Sequence, residues 1–371
     1  MQSTDIQALS TQVLWVSFFV SVLFGAIAQR THFCTMGAIS DVVNIGDYAR
    51  MRQWALAIAV AMLGFAALVW MGKLDPAKTL YASTRWQWLS AVVGGLLFGF
   101  GMVLSSGCGS KTLVRIGSGN LKSLIVFFIM GVASYATLRG ITAVARSNTV
   151  DQVFVEFSSG AAVGQLLASA TGWPVTTALP LAAAVLALAL MIWVFKDREF
   201  LTGNNLLAGL GIGAIVVLMW WGSGVFGHVA EHPDTLQEAF LTTGSGRAEA
   251  LTFTAPMAYT IDWLILFSDK SKVLTWSVVS VLGVIAGSAL MALVTRQFRW
   301  EGFRDTTDTA NHVLGAILMG IGGVTALGCT VGQGLSGIST LSLTSFVAVA
   351  AIMAGARAAF AYQMWQLERA A

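Results

Sequence analysis

Three cysteines are the residues of this 371-residue chain best suited to chemistry. They are odd in number, far apart and never in a Cys-x-x-Cys spacing, which argues against both a disulfide framework and a zinc site. Each lies beside glycine and hydroxyl residues, in Phe33-Cys34-Thr35-Met36-Gly37, Gly107-Cys108-Gly109-Ser110-Lys111 and Gly328-Cys329-Thr330-Val331-Gly332.

These surroundings predict a weak anion site without fixed charge. Glycines at 107, 109 and 328 let a ligand approach the backbone, and a helix that begins at such a turn presents free N–H groups to an anion. A thiol in apolar surroundings stays neutral and donates a weak S–H hydrogen bond, and Thr330 adds a hydroxyl. The alternative is that each buried cysteine is a small hydrophobic residue. The predicted translocation residues are Cys34, Cys108, Cys329, Gly107, Gly109, Gly328, Thr330 and Lys111.

Charged residues give less definite signals. Lys111 follows Cys108 and is placed to gather anions, although a basic anchor at the cytoplasmic membrane surface explains it equally well. Arg357 is expected within the last membrane span, where it either faces the protein interior or extends to the surface. His228, Glu231, His232 and Asp234 lie close in sequence, but no cysteine or further histidine completes a metal set, so we expect a loop role and no metal or cofactor.

The composition indicates that the chain lies in a membrane. Hydrophobic residues make up 56% of it and charged residues 11%, whereas a soluble domain carries roughly 25% charged residues. The net charge of +3 is dispersed and forms no basic stripe with aromatic residues, so we expect no nucleic acid partner. The first apolar run lacks a preceding basic region and a cleavage site, so it is predicted to be a retained span.

Apolar runs predict an all-α polytopic membrane protein with about nine transmembrane helices and additional re-entrant or short helices. One integral domain, 1–371, is expected. Val313 to Ala356 contains no charged residue and is about twice as long as one span needs, which predicts a re-entrant turn at Gly328 to Gly334. The nine runs are 11–29, 53–72, 86–106, 122–138, 174–195, 201–224, 273–295, 309–327 and 341–356.

Lysine and arginine between the runs predict an N-terminus outside and a C-terminus inside. This orientation places twelve basic residues on the cytoplasmic side and eight on the other. Cytoplasmic loops collect basic residues, which is the basis of the assignment.

The sequence also contains an internal repeat. An offset of 221 residues gives eight identities in seventeen positions, from Val92 on Val313 to Cys108 on Cys329, with several glycines between. With the predicted topology, the two copies run in opposite directions, as in transporters built from inverted repeats with broken helices. The expected halves are 11–172 and 173–364, and Cys34 has no partner in the second half.

These motifs resemble the YeeE/YedE family of sulfur-compound transporters, and within it the thiosulfate permeases. The similarity runs along nearly the whole chain. It is carried by Arg30-Thr-His-Phe-Cys34-Thr-Met-Gly, Ser106-Gly-Cys108-Gly, Leu327-Gly-Cys329-Thr-Val-Gly-Gln-Gly and Glu231-His-Pro-Asp-Thr-Leu-Gln-Glu-Ala-Phe.

The resemblance implies a monomeric, hourglass-like bundle in a bacterial cytoplasmic (inner) membrane. It implies that Cys34, Cys108 and Cys329 relay thiosulfate by S–H hydrogen bonds at a central constriction. It also implies a partner, a small cytoplasmic sulfur-carrier protein of the TusA type, and a transporter that is not an enzyme.

Three alternatives remain open from the sequence. Another sulfur- or selenium-containing anion would use the same soft contacts. A membrane thiol-disulfide oxidoreductase would work through reversible pairing of Cys108 and Cys329. A scaffold for a sulfur-carrier complex would carry no flux by itself.

Overall fold

The computed structural model describes residues 3–370, so the predicted domain 1–371 exceeds the described residues only at 1, 2 and 371. The α-helices are α1 Ser3–Thr31, α2 Thr35–Asn44, α3 Ala49–Trp70, α4 Trp88–Leu104, α5 Gly109–Gly117, α6 Leu121–Arg139, α7 Ile141–Asn148, α8 Val163–Thr171, α9 Val175–Phe195, α10 Gly203–Leu206, α11 Ile212–Trp221, α12 Thr254–Ile265, α13 Trp276–Val294, α14 Thr306–Thr325 and α15 Leu343–Ala370. π-Helical turns occupy Leu207–Gly211, Gly222–Phe226 and Gly332–Gly337. Short 3₁₀ turns occupy Pro76–Lys78, Val150–Gln152 and Arg198–Phe200.

Strands are few and short. Strand β1 (Arg85–Trp86) pairs with β2 (Val155–Glu156), and β3 (His228–Val229) pairs with β4 (Ala239–Phe240), both antiparallel. They tie loops together and leave the membrane region to helices, which satisfy their own backbone hydrogen bonds in lipid.

The predicted all-α membrane fold is confirmed. Within the described residues, eight helical segments are long and apolar enough to cross a membrane. Each of the nine predicted runs coincides with a helix or a continuous helical stretch. The predicted run that is not among these eight segments, 309–327, overlaps α14. This helix is 20 residues long and carries Asp308 and His312 in its first turns, which lowers its apolar character. The outer surface suits lipid, as Leu188 and Ile192 of α9 illustrate with exposed fractions of 59% and 63%.

Helices α4 and α14 cross in opposite directions at a glycine-lined contact. An ideal Cβ at Gly94 would lie 2.6 Å from the carbonyl oxygen of Gly322, and one at Gly101 would lie 2.6 Å from that of Gly315. The contact is reciprocal, because Gly315 and Gly322 occupy the positions that correspond to Gly94 and Gly101 in the internal repeat. Reciprocal pairing of this kind is the geometry of a twofold axis. The predicted opposite direction of these two helices is therefore observed.

The ends of two pairs of helices are also separated by 221 residues, one pair inside the matching segment and one pair outside it. Helix α4 ends at Leu104 and α14 at Thr325. Helix α2 ends at Asn44 and α12 at Ile265, although their sequences differ. The residue that corresponds to Cys34 is Ala255. The half boundaries at 172 and 173 remain a prediction.

Candidate functional site

Each cysteine stands at the start of a short helix that follows a long one. Cys34 is the N-cap of α2 with extended backbone (φ −157°, ψ 124°), and Cys108 is the N-cap of α5 (φ −82°, ψ 177°). The Cys34 Sγ accepts the N–H of Gly37 at 3.4 Å, and the Cys329 Sγ accepts that of Gly332 at 3.4 Å. Sulfur thus occupies the position where serine or aspartate usually caps a helix. The remaining N–H groups of these helix starts carry the positive end of the helix dipole.

The turn before each cysteine is the same in all three breaks. Two residues before each cysteine the backbone is left-handed, with φ 54° at His32, 56° at Ser106 and 59° at Leu327. The following residue donates its N–H to the carbonyl oxygen five residues earlier, at 3.2, 2.8 and 2.7 Å respectively. This bond defines the helix-ending Schellman motif, whose left-handed position is usually glycine. A long helix that stops abruptly can therefore be followed at once by a new helix that starts at the cysteine; the thiols of Cys34 and Cys329 cap it, whereas that of Cys108 makes no cap hydrogen bond.

The three breaks bring the cysteines together inside the protein. All three are free and buried, with exposed fractions of 4%, 0% and 0% in chain order. The thiols of Cys34 and Cys108 lie close enough to interact electrostatically. The Cys108 thiol also contacts the Ser110 hydroxyl at 3.3 Å and lies beside the Thr330 side chain. The chain after Cys329 thus faces Cys108, and Cys108 neighbours both other cysteine segments.

The predicted glycines of the site differ in how closely they are packed. An ideal Cβ at Gly107 would lie 3.2 Å from Lys111 Cγ, and one at Gly328 would lie 3.2 Å from Gln333 Cγ. At Gly109 the nearest atoms would be at 3.5 Å, an ordinary contact. Backbone atoms come near only at Gly328, where Gln333 N would lie at 3.4 Å and Gly332 C at 3.5 Å, farther away than the backbone contacts between α4 and α14. Their role in backbone approach to a ligand stays a prediction.

Lys111 lines a polar cavity of about 650 Å³ on one side of the cysteines. We call it the Lys111 vestibule; its lining includes His32, Arg115, Arg299 and Glu301. Arg115 Nη1 donates to the Ser106 carbonyl oxygen at 2.7 Å, which ties the basic wall to the turn before Cys108. Lys111 lies close enough to Cys34 and Cys108 to interact electrostatically with both. The vestibule has more basic than acidic groups and therefore favours anions.

A second cavity lies on the side of Cys329. It has a volume of about 530 Å³, and we call it the Arg247 vestibule; its lining includes Arg247, Ser83, Ser158 and Leu327. A smaller adjoining cavity of about 80 Å³ reaches Tyr81 and Gln333. Since Leu327 belongs to the turn before Cys329, the cysteine cluster has a polar cavity on either side.

Sequence reasoning missed three polar residues near the Cys329 segment: Tyr81 is half-buried, and Gln333 and Glu249 are buried. Tyr81 Oη donates to the Gly332 carbonyl oxygen at 2.7 Å. Gln333 is fully buried and donates to the Ala326 carbonyl oxygen at 2.5 Å, so it holds both sides of the break together. Glu249 is 5% exposed. Gln333 lies inside the family motif that begins at Leu327. Tyr81 and Glu249 lie in connecting segments, where no motif indicates a functional residue.

Two other features noted in the sequence, Arg357 and the group from His228 to Asp234, do not line the cysteine site. Arg357 is exposed on the surface of α15, which supports extension towards the membrane surface and not an interior role. His228 pairs with Glu238 at 2.6 Å, and Lys78 contacts the same carboxylate at 2.6 Å. Lys78 and His228 hold the pKa of Glu238 below its ordinary value. In the described part of the chain, no group of three histidine, cysteine or acidic side chains could hold a metal ion.

Comparison with known proteins places this arrangement in a family. The family model described as sulphur transport matches residues 30–358, which include all three cysteine segments. The thiosulfate transporter TsuA of Escherichia coli (strain K12) is 30% identical over 322 residues, which cover 84% of each chain. The thiosulfate transporter TsuA of Spirochaeta thermophila is 27% identical over 347 residues, which cover 91% of this chain and 94% of the relative.

A more distant relative matches a shorter part. The probable transporter YedE of Escherichia coli (strain K12) is 29% identical over 114 residues, which cover 31% of this chain and 27% of the relative. The cysteines at helix starts between two polar cavities and the match over most of the sequence lead to one assignment: the chain belongs to the sulphur transport family, the YeeE/YedE family of membrane transporters.

Proposed function

We propose that this protein takes up thiosulfate across a membrane through a conduit that runs from the Arg247 vestibule past Cys329, Cys108 and Cys34 to the Lys111 vestibule. The observation that carries the proposal is the contact between the three cysteine segments, each at a helix start and together flanked by polar cavities. The two long relatives are named as thiosulfate transporters, which supports this substrate.

The chemistry of the constriction suits a soft dianion that must bind and then leave. Neutral thiols donate S–H hydrogen bonds that are weak compared with those of ammonium or guanidinium groups. Free N–H groups at the helix starts add a favourable dipole without fixed charge. Conduction requires sites strong enough to admit the ion and weak enough to release it. Lys111, one turn beyond Cys108, provides the first fixed positive charge after the thiols.

The orientation of the conduit in the membrane is inferred from the basic residues. We place the Lys111 vestibule at the cytoplasmic face of a bacterial inner membrane, with the N-terminus outside and the C-terminus inside, because basic residues collect on that face. We expect a monomer that delivers thiosulfate to a TusA-like sulfur carrier in the cytoplasm.

The interaction between the Cys34 and Cys108 thiols favours a second candidate, a thiol-disulfide oxidoreductase. The sequence-based version of this alternative used Cys108 and Cys329, but the adjacent thiols are Cys34 and Cys108. Mass analysis after mild oxidation and reduction distinguishes the two functions. A Cys34–Cys108 disulfide that turns over with an external thiol would favour the oxidoreductase, whereas thiols that stay free during uptake would support transport.

Uptake into proteoliposomes that contain only this chain is the decisive experiment. Wild-type protein should accumulate labelled thiosulfate, and Cys108→Ala and Cys329→Ala should lose uptake while keeping a wild-type melting temperature. Ser21→Ala is the matched control, since Ser21 is fully buried in α1 and its hydroxyl has no partner among the described residues. Normal uptake by both cysteine variants would refute the relay. Stronger competition by selenite or sulfate than by unlabelled thiosulfate would identify another anion as the substrate.

A further inference from the structure

Glu249 is a buried carboxylate that has no role in the proposed cysteine relay. It lies in the connecting segment before α12 and is 5% exposed, and no other carboxylate in the described residues is buried to this degree. Its backbone is fixed by Ser223, whose hydroxyl accepts the Glu249 N–H at 3.0 Å and donates to the Glu249 carbonyl oxygen at 2.5 Å. The side chain therefore has little freedom to reach solvent.

The carboxylate is held by neutral donors. Oε1 accepts the backbone N–H of Ser245 at 2.7 Å, and Oε2 accepts the Ser277 hydroxyl at 3.1 Å. Burial raises the pKa of Glu249 above its ordinary value, and the Ser245 hydrogen bonds oppose that shift. In the part of the chain that the structure describes, no lysine, arginine or histidine forms an ion pair with it.

The groups that face Glu249 do not neutralise it. Tyr81, from the segment before α4, and Tyr259, from α12, both interact with its charge and are neutral at physiological pH. Arg247, two residues away on the same segment, directs Nη1 to the Ala82 carbonyl oxygen at 2.8 Å. Lys78, whose carbonyl oxygen accepts the Ala248 N–H, directs its ammonium to Glu238.

The Glu249 segment forms part of the wall around Cys329. Its Leu251 carbonyl oxygen accepts the Ser336 hydroxyl at 2.6 Å, in the helix that Cys329 begins. Tyr81 links Glu249 to the Cys329 segment. It interacts electrostatically with both Glu249 and Cys329, and its hydroxyl donates to the Gly332 carbonyl oxygen. An anion at the Cys329 end of the conduit would therefore meet a negative charge unless Glu249 is protonated, because charges in a poorly hydrated interior interact strongly.

We propose that Glu249 takes up one proton when the anion occupies the Cys329 end of the conduit, so that the anion and a proton bind together. The inference rests on the proposed function and adds a coupling ion to it. The proton adds to a carboxylate oxygen and leaves it when the anion moves on. By thermodynamic linkage, the anion must strengthen proton binding, and the proton must strengthen anion binding, by the same factor.

Calorimetric titration of purified full-length protein with thiosulfate, between about pH 5.5 and pH 8, tests this coupling. The wild-type affinity should rise roughly tenfold towards the acidic end, within the usual range of coupling between two sites. Glu249→Gln keeps a hydrogen-bond acceptor but no charge, and should bind with the acidic-end affinity throughout. Glu231→Gln, an exposed carboxylate of the same connecting segment, is the matched control and should keep the wild-type profile.

A second measurement does not depend on a variant. Titration of the wild type in buffers of different ionisation enthalpy counts the protons taken up with each anion, and the count at neutral pH should lie between zero and one. Binding without proton uptake, or a pH profile that survives in Glu249→Gln, would overturn the inference while leaving thiosulfate transport intact. An absence of thiosulfate binding at every pH would refute the proposed function, and the coupling with it.

Discussion

Substitution of Gly322 by alanine tests the crossing of α4 and α14 that positions both repeat-related cysteines. The added Cβ would lie 2.5 Å from the Phe98 nitrogen and 2.6 Å from the Gly94 carbonyl oxygen. These distances are about 1 Å shorter than an ordinary contact, and the obstacles are backbone atoms that cannot rotate away. Overpacking of this kind costs about 1–3 kcal/mol, and alanine regains about 1 kcal/mol of helix propensity.

Because two backbone atoms obstruct the methyl group, we expect a net loss of about 2 kcal/mol, seen as a melting temperature lower by roughly 3 °C in detergent. Thiosulfate uptake should fall roughly tenfold, since the helices must separate by about 1 Å beside the cysteine breaks. Gly203→Ala is the matched control, because a Cβ there meets no atom within 4 Å. Equal melting temperatures for the two variants would refute the argument that glycine is required for this crossing.

Three further predictions concern the turn, the vestibule and the buried carboxylate. Leu327→Gly should raise the melting temperature, because glycine relieves about 1 kcal/mol of left-handed strain at φ 59°; a lower value would contradict the strain. Lys111→Gln should raise the KM for uptake roughly tenfold and reduce its salt dependence, whereas Lys196→Gln, at the exposed end of α9, should change neither. Glu249→Gln should be more stable than wild type at alkaline pH, with the difference vanishing on acidification; a constant difference would exclude the titration of Glu249 as its cause.

The sign of the last prediction follows from the raised pKa of Glu249 in the folded protein. As pH rises past the unfolded pKa, the unfolded chain loses its proton first, and ionisation begins to favour unfolding. The penalty is complete above the folded pKa and disappears below the unfolded value. Glutamine never ionises, so only the wild type carries this penalty.

Long apolar runs gave reliable predictions of helices because each run must satisfy its backbone in lipid, whatever its neighbours are. The re-entrant turn was predicted at Gly328 to Gly334 for a similar reason, and the helix does end at Thr325 and restart after Cys329. The repeated glycines predicted two equivalent helices. The structure adds that Gly94 meets Gly322 and Gly101 meets Gly315.

The part played by Cys34 could not be predicted from sequence. The internal repeat linked Cys108 with Cys329 and left Cys34 without a partner, and the corresponding residue is indeed Ala255. Yet the thiol that interacts most strongly with Cys108 is that of Cys34. A repeat identifies residues related by symmetry, whereas contact depends on where the short helices turn relative to the axis.

The sequence by itself determined the helical membrane fold, the re-entrant turn at Gly328 to Gly334 and the family, because hydropathy and glycine act through local physics and near neighbours. Only the tertiary structure decided that Cys34, Cys108 and Thr330 adjoin and that polar cavities lie on either side. It alone brought Tyr81 and Glu249 within electrostatic reach of each other, with Tyr81 also near Cys329. These residues lie in polar connecting segments whose burial depends on what packs over them, and that packing joins parts of the chain far apart in sequence.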